Sequence, residues 1–424
     1  MIIKGKQINI SEKWKTIEVG KIFDFLRSYA VSRENLVEDT RNDKGIGNIH
    51  YGDIHAKFNA TNIDLNNVSV PMAKDDGFTP NKEDFLIDGD LIMADTSEDY
   101  EGIGVAVLVR GFESKKVVGG LHTFVLRDNK KKTDQNYRQY IFRNPEIRKK
   151  LQKIANGVSV YGISKTNLSK IILNLPPLDE QKQIAKILEI WDRAIEGLGK
   201  KIEVKKRIKK GLMWGLLTGK ARLPGFSGEW TKIKLRKIAK TSSGGTPKSN
   251  NPLYYIKGAI PWVNSGEVRK GKISNFDNFI TEEGLKNSSA KLFPKETILI
   301  AMYGATTGQV GILEREAATN QAICGIIPNK NYSSLFLYYF FTIKTNQLIQ
   351  MASGAAQPNI SQDIIRNFDV LLPLINEQDA IANILTATDN EIIELERKLG
   401  ILKNQKKFLL NNLVTGEIRV PEGV

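Results

Sequence analysis

Apolar residues in the middle of the chain recur at alternating steps of four and three. The line runs Ile184, Leu188, Trp191, Ile195, Leu198, Ile202, turns polar at Lys205 and Lys209, and resumes at Leu212 and Leu216. A second line runs Ile381, Leu385, Thr388, Ile392, Leu395, Leu399, Leu402, Lys406, Leu409, Leu413. Both are heptad seams, which predict two long helices. Pro176, Pro177 and Pro373 end the strand-like runs before them, because proline cannot sit inside a helix. Asp179 and Asn376 then stand at the expected N-caps, with Glu180 and Glu377 adding charge to the first turns. Gly219 and Gly416 mark the stops, with Pro224 and Pro421 beyond. Each helix should span about 35–40 residues, roughly 55 Å. Core helices average about a dozen residues, so two matched seams most simply pair with each other. Gly197, Gly199, Gly211 and Gly215 each weaken the first helix by about 1 kcal/mol where exposed and predict fraying or a break there.

The two seams belong to a repeat. LPPLDEQKQIAKIL (Leu175 to Leu188) and LPLINEQDAIANIL (Leu372 to Leu385) agree at eight of fourteen positions, offset by 197. The same offset takes Gly157 to Gly354, Asp192 to Asp389, and LLTGKARLPG (Leu216 to Gly225) to LVTGEIRVPE (Leu413 to Glu422). A looser register near 215 relates the segments upstream. SEKWKTIEVGKI (from Ser11) resembles SGEWTKIKLRKI (from Ser227), setting Trp14 opposite Trp230. IGNIHYGDIH (from Ile46) resembles IPWVNSGEVR (from Ile260), and DLIMA (from Asp90) resembles TILIA (from Thr297). The chain reads as A–B–A′–B′, with A diverged and B preserved.

The A segments carry strand-like runs: DLIMA, GVAVLV and TFVLR in the first, TILIAMY, GQVGIL and ICGII in the second. Helices are expected to follow, at Tyr137 to Ile154 and Ser334 to Met351. The fold class is therefore mixed α/β, with two α/β domains and two long helices that pair with each other. The expected boundaries are 1–175 and 221–372 for the α/β domains, and 176–220 and 373–424 for the helices.

Composition narrows the partners. Lys and Arg outnumber Asp and Glu by 62 to 47, a formal charge of +15 over 424 residues. That surplus favours a polyanion, nucleic acid first. A single cysteine, Cys324, excludes internal disulfides and cysteine zinc sites. No run of eighteen apolar residues and no signal-peptide pattern occur, so a soluble, cytosolic protein without membrane contact is expected.

Enzyme signatures are weak. YGATTG and GATTGQVG lack the GK[ST] ending of a phosphate loop, and EGIGVAV holds only part of a dinucleotide fingerprint. His50, His55 and His122 make no metal spacing. Glu113-Ser114-Lys115 matches a fragment of metal-dependent nucleases and is the basis of an alternative reading, a nuclease with a cryptic metal site. Polar loops suit DNA better: TSSGGTPKSNNPLYY (from Thr241), YGATTG, and VSRENLVEDTRNDK with Arg33, Arg41, Asn42 and Lys44.

Taken together, the repeat, TSSGGTPKSNNPLYY…IPWVNSGEV and AMYGATTGQVGIL resemble the specificity subunit of type I restriction–modification systems across essentially the whole chain. The first A segment departs from that pattern: it lacks the GGTP loop, and GIGVAV replaces TTGQVGI. The resemblance implies a non-catalytic subunit whose two target recognition domains each read half of a split site in double-stranded DNA. It implies that the helices form an antiparallel coiled coil that separates the readers and docks two methyltransferase subunits, joined by restriction–translocase subunits. S-adenosylmethionine, ATP and Mg would belong to those partners, with no cofactor or metal in this chain. By motif position, Thr246, Lys248, Ser249, Trp262, Asn264, Tyr303, Thr306 and Thr307 are the DNA candidates in the second reader, and Arg33, Arg41 and Lys44 in the first. Core packing is the competing role for Trp262. Glu180, Gln181, Ile184, Leu188, Glu377, Gln378, Ile381 and Leu385 are the candidates for helix pairing and subunit docking.

Overall fold

The computed structural model describes residues 14–37, 45–58, 61–74, 78–111, 115–352 and 359–420. It divides into two units, Met1–Gly197 with Leu399–Val424, and Leu198–Lys398. Each unit therefore holds one α/β domain, the beginning of one long helix and the end of the other.

Within the first unit a five-stranded sheet runs in the order Asp24–Leu26, Thr123–Arg127, Leu91–Ala94, Ala106–Arg110, Asn62–Asp64. The second unit repeats it as Ala239–Ser243, Ile323–Pro328, Ile298–Ala301, Val310–Leu313, Lys272–Ile273. The central strands of both are buried, apart from half-buried Arg110 at the end of its strand, as their apolar runs require. A four-stranded sheet accompanies each. Its parallel pair is common to both units, Ile46–Ile49 with Lys116–Gly119 and Ile260–Val263 with Ala317–Thr319. Its flanking strands differ: Met72–Ala73 and Leu36–Val37 in the first unit, Phe279–Ile280 and Leu292–Phe293 in the second.

The expected helix from Tyr137 is two helices, Arg138–Ile141 and Pro145–Ile154. Pro145 has no N–H to continue the first, and Asn144 caps the second by accepting from Glu146 N at 2.8 Å. Ser334–Gln350 is continuous.

The long helices span Leu178–Leu217 and Ile375–Thr415. They begin one residue before the expected caps, so Asp179 and Asn376 lie in first turns rather than at N-caps. No break occurs at the glycines. Gly197, Gly199 and Gly211 have open space around them, and the packed seam holds the helix that their propensity disfavours. Gly219 and Gly416 do end the helices, at φ 70° and 82°. Ala221 N and Ile418 N close back on Gly215 O and Asn412 O at 3.0 and 3.1 Å.

Every seam position is buried or half-buried, and the polar ones have matched partners. In the second unit Lys209 pairs with Asp389, and Lys205 with Glu391 at 2.8 Å. The first unit mirrors this with Lys406 on Asp192. Asp192 also accepts from Tyr140 OH at 3.0 Å, and Asp389 from Tyr339 OH at 2.6 Å. The lysines that interrupt the apolar line thus complete a Lys–Asp–Tyr set in each unit. Burial and the adjacent carboxylate push both tyrosines well above the usual phenol range.

The other preserved motifs close on each other crosswise. Glu180 takes Arg419 through Nε and an amino group at 2.6 and 2.7 Å, while Glu377 takes Arg222 at 2.7 and 2.8 Å. The E-Q end of one copy therefore meets the T-G-x-x-R end of the other. The glutamine beside each glutamate fastens the α/β domain. Gln181 accepts from Asp134 N at 2.7 Å and donates to Pro176 O at 2.9 Å. Gln378 accepts from Ser333 N at 3.0 Å and donates to Pro373 O at 2.8 Å. Among the described residues no helix is long and apolar enough to cross a membrane.

Candidate nucleic-acid interface

In the second unit the candidate loops gather where three strands end. The parallel strands stop at Val263 and Thr319, and Asn320 N returns to Val263 O at 3.0 Å. The central strand stops at Ala301, and Met302 N bonds Ala322 O at 2.8 Å. The loop after Ser243 crosses this edge, fixed by Gly245 N to Thr319 O at 2.9 Å. No side chain fits at its glycines. A Cβ on Gly244 would lie 2.1 Å from Thr319 O, and one on Gly245 2.2 Å from the Ser289 carbonyl carbon.

The sequence candidates divide between building this edge and facing outward from it. Trp262 builds: it is half-buried, donates from Nε1 to Gly245 O at 3.1 Å and meets Tyr255 edge-on. Asn264 builds too, capping Ser265–Lys270 by accepting from Gly266 N at 3.1 Å, with Glu267 completing the capping box. Thr307 closes its own turn onto Gly304 O at 2.7 Å, beside half-buried Thr306. Thr246, Lys248, Ser249 and Tyr303 are exposed, and Thr246 bonds Gln321. Three neighbours were absent from the sequence candidates. Lys291 donates to Ser242 Oγ at 2.8 Å, Gln362 donates to Thr241 Oγ1 at 2.9 Å, and exposed Gln321 holds Thr246. They come from segments distant in sequence, so no local motif marks them.

The first unit builds the same edge from different residues. Gly120 N bonds Ile49 O at 2.7 Å, Asp95 N bonds His122 O at 3.1 Å, and Tyr29 N bonds Gly119 O at 2.8 Å. These are the three backbone bonds of the second unit, position for position. The first copy lacks the GGTP sequence but not a loop at that place: Arg27–Asn35 occupies it, with Tyr29 at the position of Gly245. Asn48 stands where Trp262 stands and makes the equivalent bond, Nδ2 to Tyr29 O at 2.9 Å. His50 replaces Asn264, with Asp53 accepting from its backbone N–H at 3.1 Å. The pairing of IGNIHYGDIH with IPWVNSGEVR was the available signal for His50.

Arg33 is exposed at the start of the Arg33–Asn35 turn. Arg41 and Lys44, with Asn42, lie outside the described residues, as does Glu113 of the nuclease alternative. Among the described residues no three His, Cys, Asp or Glu side chains are grouped to hold a metal ion. Burial pushes the Cys324 thiol to about 12, so it stays protonated and inert.

The eight helix candidates are all consumed inside their own units. Glu180, Gln181, Ile184, Leu188, Glu377, Gln378, Ile381 and Leu385 are buried, and the four aliphatic ones pack into the cores under the α/β domains. Within each unit they fasten helix to domain. The outward helix faces instead expose Ile190, Val204, Ile208, Ile393, Ile401 and Phe408.

The family model described as "Type I restriction modification DNA specificity domain" matches residues 11–206 and again 227–403. A Methanocaldococcus jannaschii protein named as the MjaX type I restriction enzyme specificity subunit is 30% identical over 350 residues, covering 79% of this chain and 80% of the relative. The EcoR124I/EcoR124II specificity subunit of Escherichia coli is 26% identical over 260 residues, covering 58% of this chain and 63% of that one. The crystal structure of a type I restriction–modification S subunit from M. genitalium superposes with TM-score 0.58 at 16% identity, covering 97% of this chain and 98% of that one. That likeness concerns the fold. With both copies of the repeat matched and a relative similar over four-fifths of its length, the chain belongs to the family of type I restriction modification DNA specificity domains.

Proposed function

We propose that this chain is the DNA-reading subunit of a type I restriction–modification complex, each α/β domain reading one half of a split target. One observation carries the reading: two loop edges share their backbone bonds position for position yet carry different side chains. That is what two readers of two different half-sites require, since backbone framing can be common while base contacts must differ. The formal charge of +15 supplies a sequence-independent attraction to phosphate that weakens steeply with salt.

On this reading the paired helices set the distance between half-sites, and their outward apolar residues take two methyltransferase subunits. Methylation, cleavage and translocation, with S-adenosylmethionine, ATP and Mg, belong to partner subunits, and the assembly works in the cytoplasm. The comparisons lend nothing to the nuclease alternative.

The test removes one heptad from the middle of each long helix. Seven residues at 1.5 Å each shorten the pair by roughly 10 Å, about three base pairs of DNA. A binding selection on a split-site library should return the same two half-sites with a shorter spacer. Altered half-sites at an unchanged spacer would overturn the ruler role, and methylation by the purified chain alone would overturn the non-catalytic one.

A further inference from the structure

The first unit carries a histidine cluster on the edge that the second unit builds without histidine. His122 sits between Gly120 and the strand Thr123–Arg127, in the left-handed region at φ 55°. A non-glycine residue there costs of order 1 kcal/mol or more. The position corresponds to Ala322 in the second unit, a buried residue that is absent from the positive-φ residues there. Its side chain is 49% exposed.

The ring is held from three sides. Tyr51 meets it edge-on, with centroids 5.6 Å apart. Its Nδ1 lies 3.2 Å from Thr96 Oγ1 and 3.3 Å from Asp95 Oδ1. Thr96 has one hydroxyl proton and points it at Asp95 Oδ1, 2.6 Å away. Nδ1 therefore faces two acceptors and must itself carry the proton. In the neutral ring that leaves Nε2 as a bare acceptor, and it has no hydrogen-bond partner among the described residues. The surroundings are built just as closely. His55 reaches Thr96 O from Nε2 at 3.1 Å, and Tyr51 packs on the His55 ring too. Gly120 leaves no room for a Cβ, which would lie 2.4 Å from the His50 ring. His50, kept below the usual histidine range by burial, has an unpartnered buried Nε2.

We infer that His122 is a specificity-determining residue of the first reader, its Nε2 accepting from the exocyclic amino group of a cytosine or adenine in the major groove. Those amino groups are the donors the groove offers, and a fixed acceptor on a rigid platform selects them. The inference rests on the DNA-reading function proposed above.

The test uses the full chain assembled with methyltransferase subunits and a split-site DNA library. His122→Gly is the variant of choice, because glycine adopts the left-handed conformation without strain and folding is preserved. Preference at one base pair of one half-site should fall roughly tenfold, the worth of one hydrogen bond, with the other half-site unchanged. At that base pair, the cytosine or adenine is then replaced by its analogue lacking the amino group, pyrimidin-2-one or purine. Wild type should lose about tenfold in affinity and His122→Gly nothing further; which analogue acts tells the two bases apart. Unchanged preference in His122→Gly, or an equal analogue loss in both proteins, overturns the inference. A wild-type assembly that selects no split site at all overturns the DNA-reading function instead.

Discussion

Replacing Arg222 with alanine is expected to destabilise the second unit by about 3–5 kcal/mol, the range for stripping one partner from a buried ion pair. The partner left behind is Glu377, 2% exposed and held through both carboxylate oxygens by Arg222. Trp230, the counterpart of Trp14, gives Glu377 no hydrogen bond in the wild-type structure. The mirrored change, Arg419→Ala, should cost less. Glu180 keeps the Trp14 indole N–H at 3.1 Å and the Val420 N–H at 3.4 Å, and hydrogen bonds to a charged group are each worth roughly 1.5–3 kcal/mol. Calorimetry reads the difference. At about 2–4 °C per kcal/mol for a unit of this size, Arg222→Ala should lower its transition by roughly 10 °C and Arg419→Ala by clearly less. Equal losses would show that the tryptophan contact contributes nothing. Arg222→Ala combined with Glu377→Leu should recover most of the stability, because no stranded charge remains.

Gly245→Ala should cost the second reader its half-site. The added methyl would lie 2.2 Å from the Ser289 carbonyl carbon and 2.4 Å from Ala290 N, so backbone must move. Those residues lead directly into the strand Leu292–Phe293, and the loop from Thr241 is the softer partner. Its displacement takes exposed Thr246, Lys248 and Ser249 off the edge. With base contacts worth about 1–3 kcal/mol each, affinity for that half-site should fall roughly 100-fold. The first half-site should keep its preference, and thermal stability should fall by only about 1–3 kcal/mol, the usual cost of overpacking. A split-site selection run beside a melting curve checks both. Retained preference at both half-sites would mean that the loop does not contact DNA. The first unit tolerates Tyr29 at the same place because its four-stranded sheet has different flanking strands there. The Tyr29 ring instead packs against Phe78 and its hydroxyl donates to Asp84 at 2.7 Å.

Locally written features were open to the sequence. The heptad lines, the Gly219 and Gly416 stops and the duplication sit within runs of neighbouring residues, where period and propensity act. Both long helices followed from them, as did the mixed α/β class. The helix starts were misplaced by one residue, and the glycines of the first helix were weighted by a propensity that seam packing overrides. The pairing of Glu180 with Arg419 and of Glu377 with Arg222 required the crossed closure of the two copies, although all four residues lie in recognised motifs. The same holds for Lys209 and Lys406, which look like faults in an apolar seam until Asp389 and Asp192 are brought opposite.

The loop edges divide in the same way. By itself the sequence determined the repeat, the helices and one set of exposed loop residues, because those depend on contacts a few positions apart. Only the tertiary structure decided that Arg27–Asn35 is the first unit's counterpart of the glycine loop. It also decided that Trp262 and Asn264 build the edge, and that His55 and His122 meet around Tyr51. Those assignments depend on which strands end side by side, and sheet pairing joins residues whose separation along the chain carries no periodic signal.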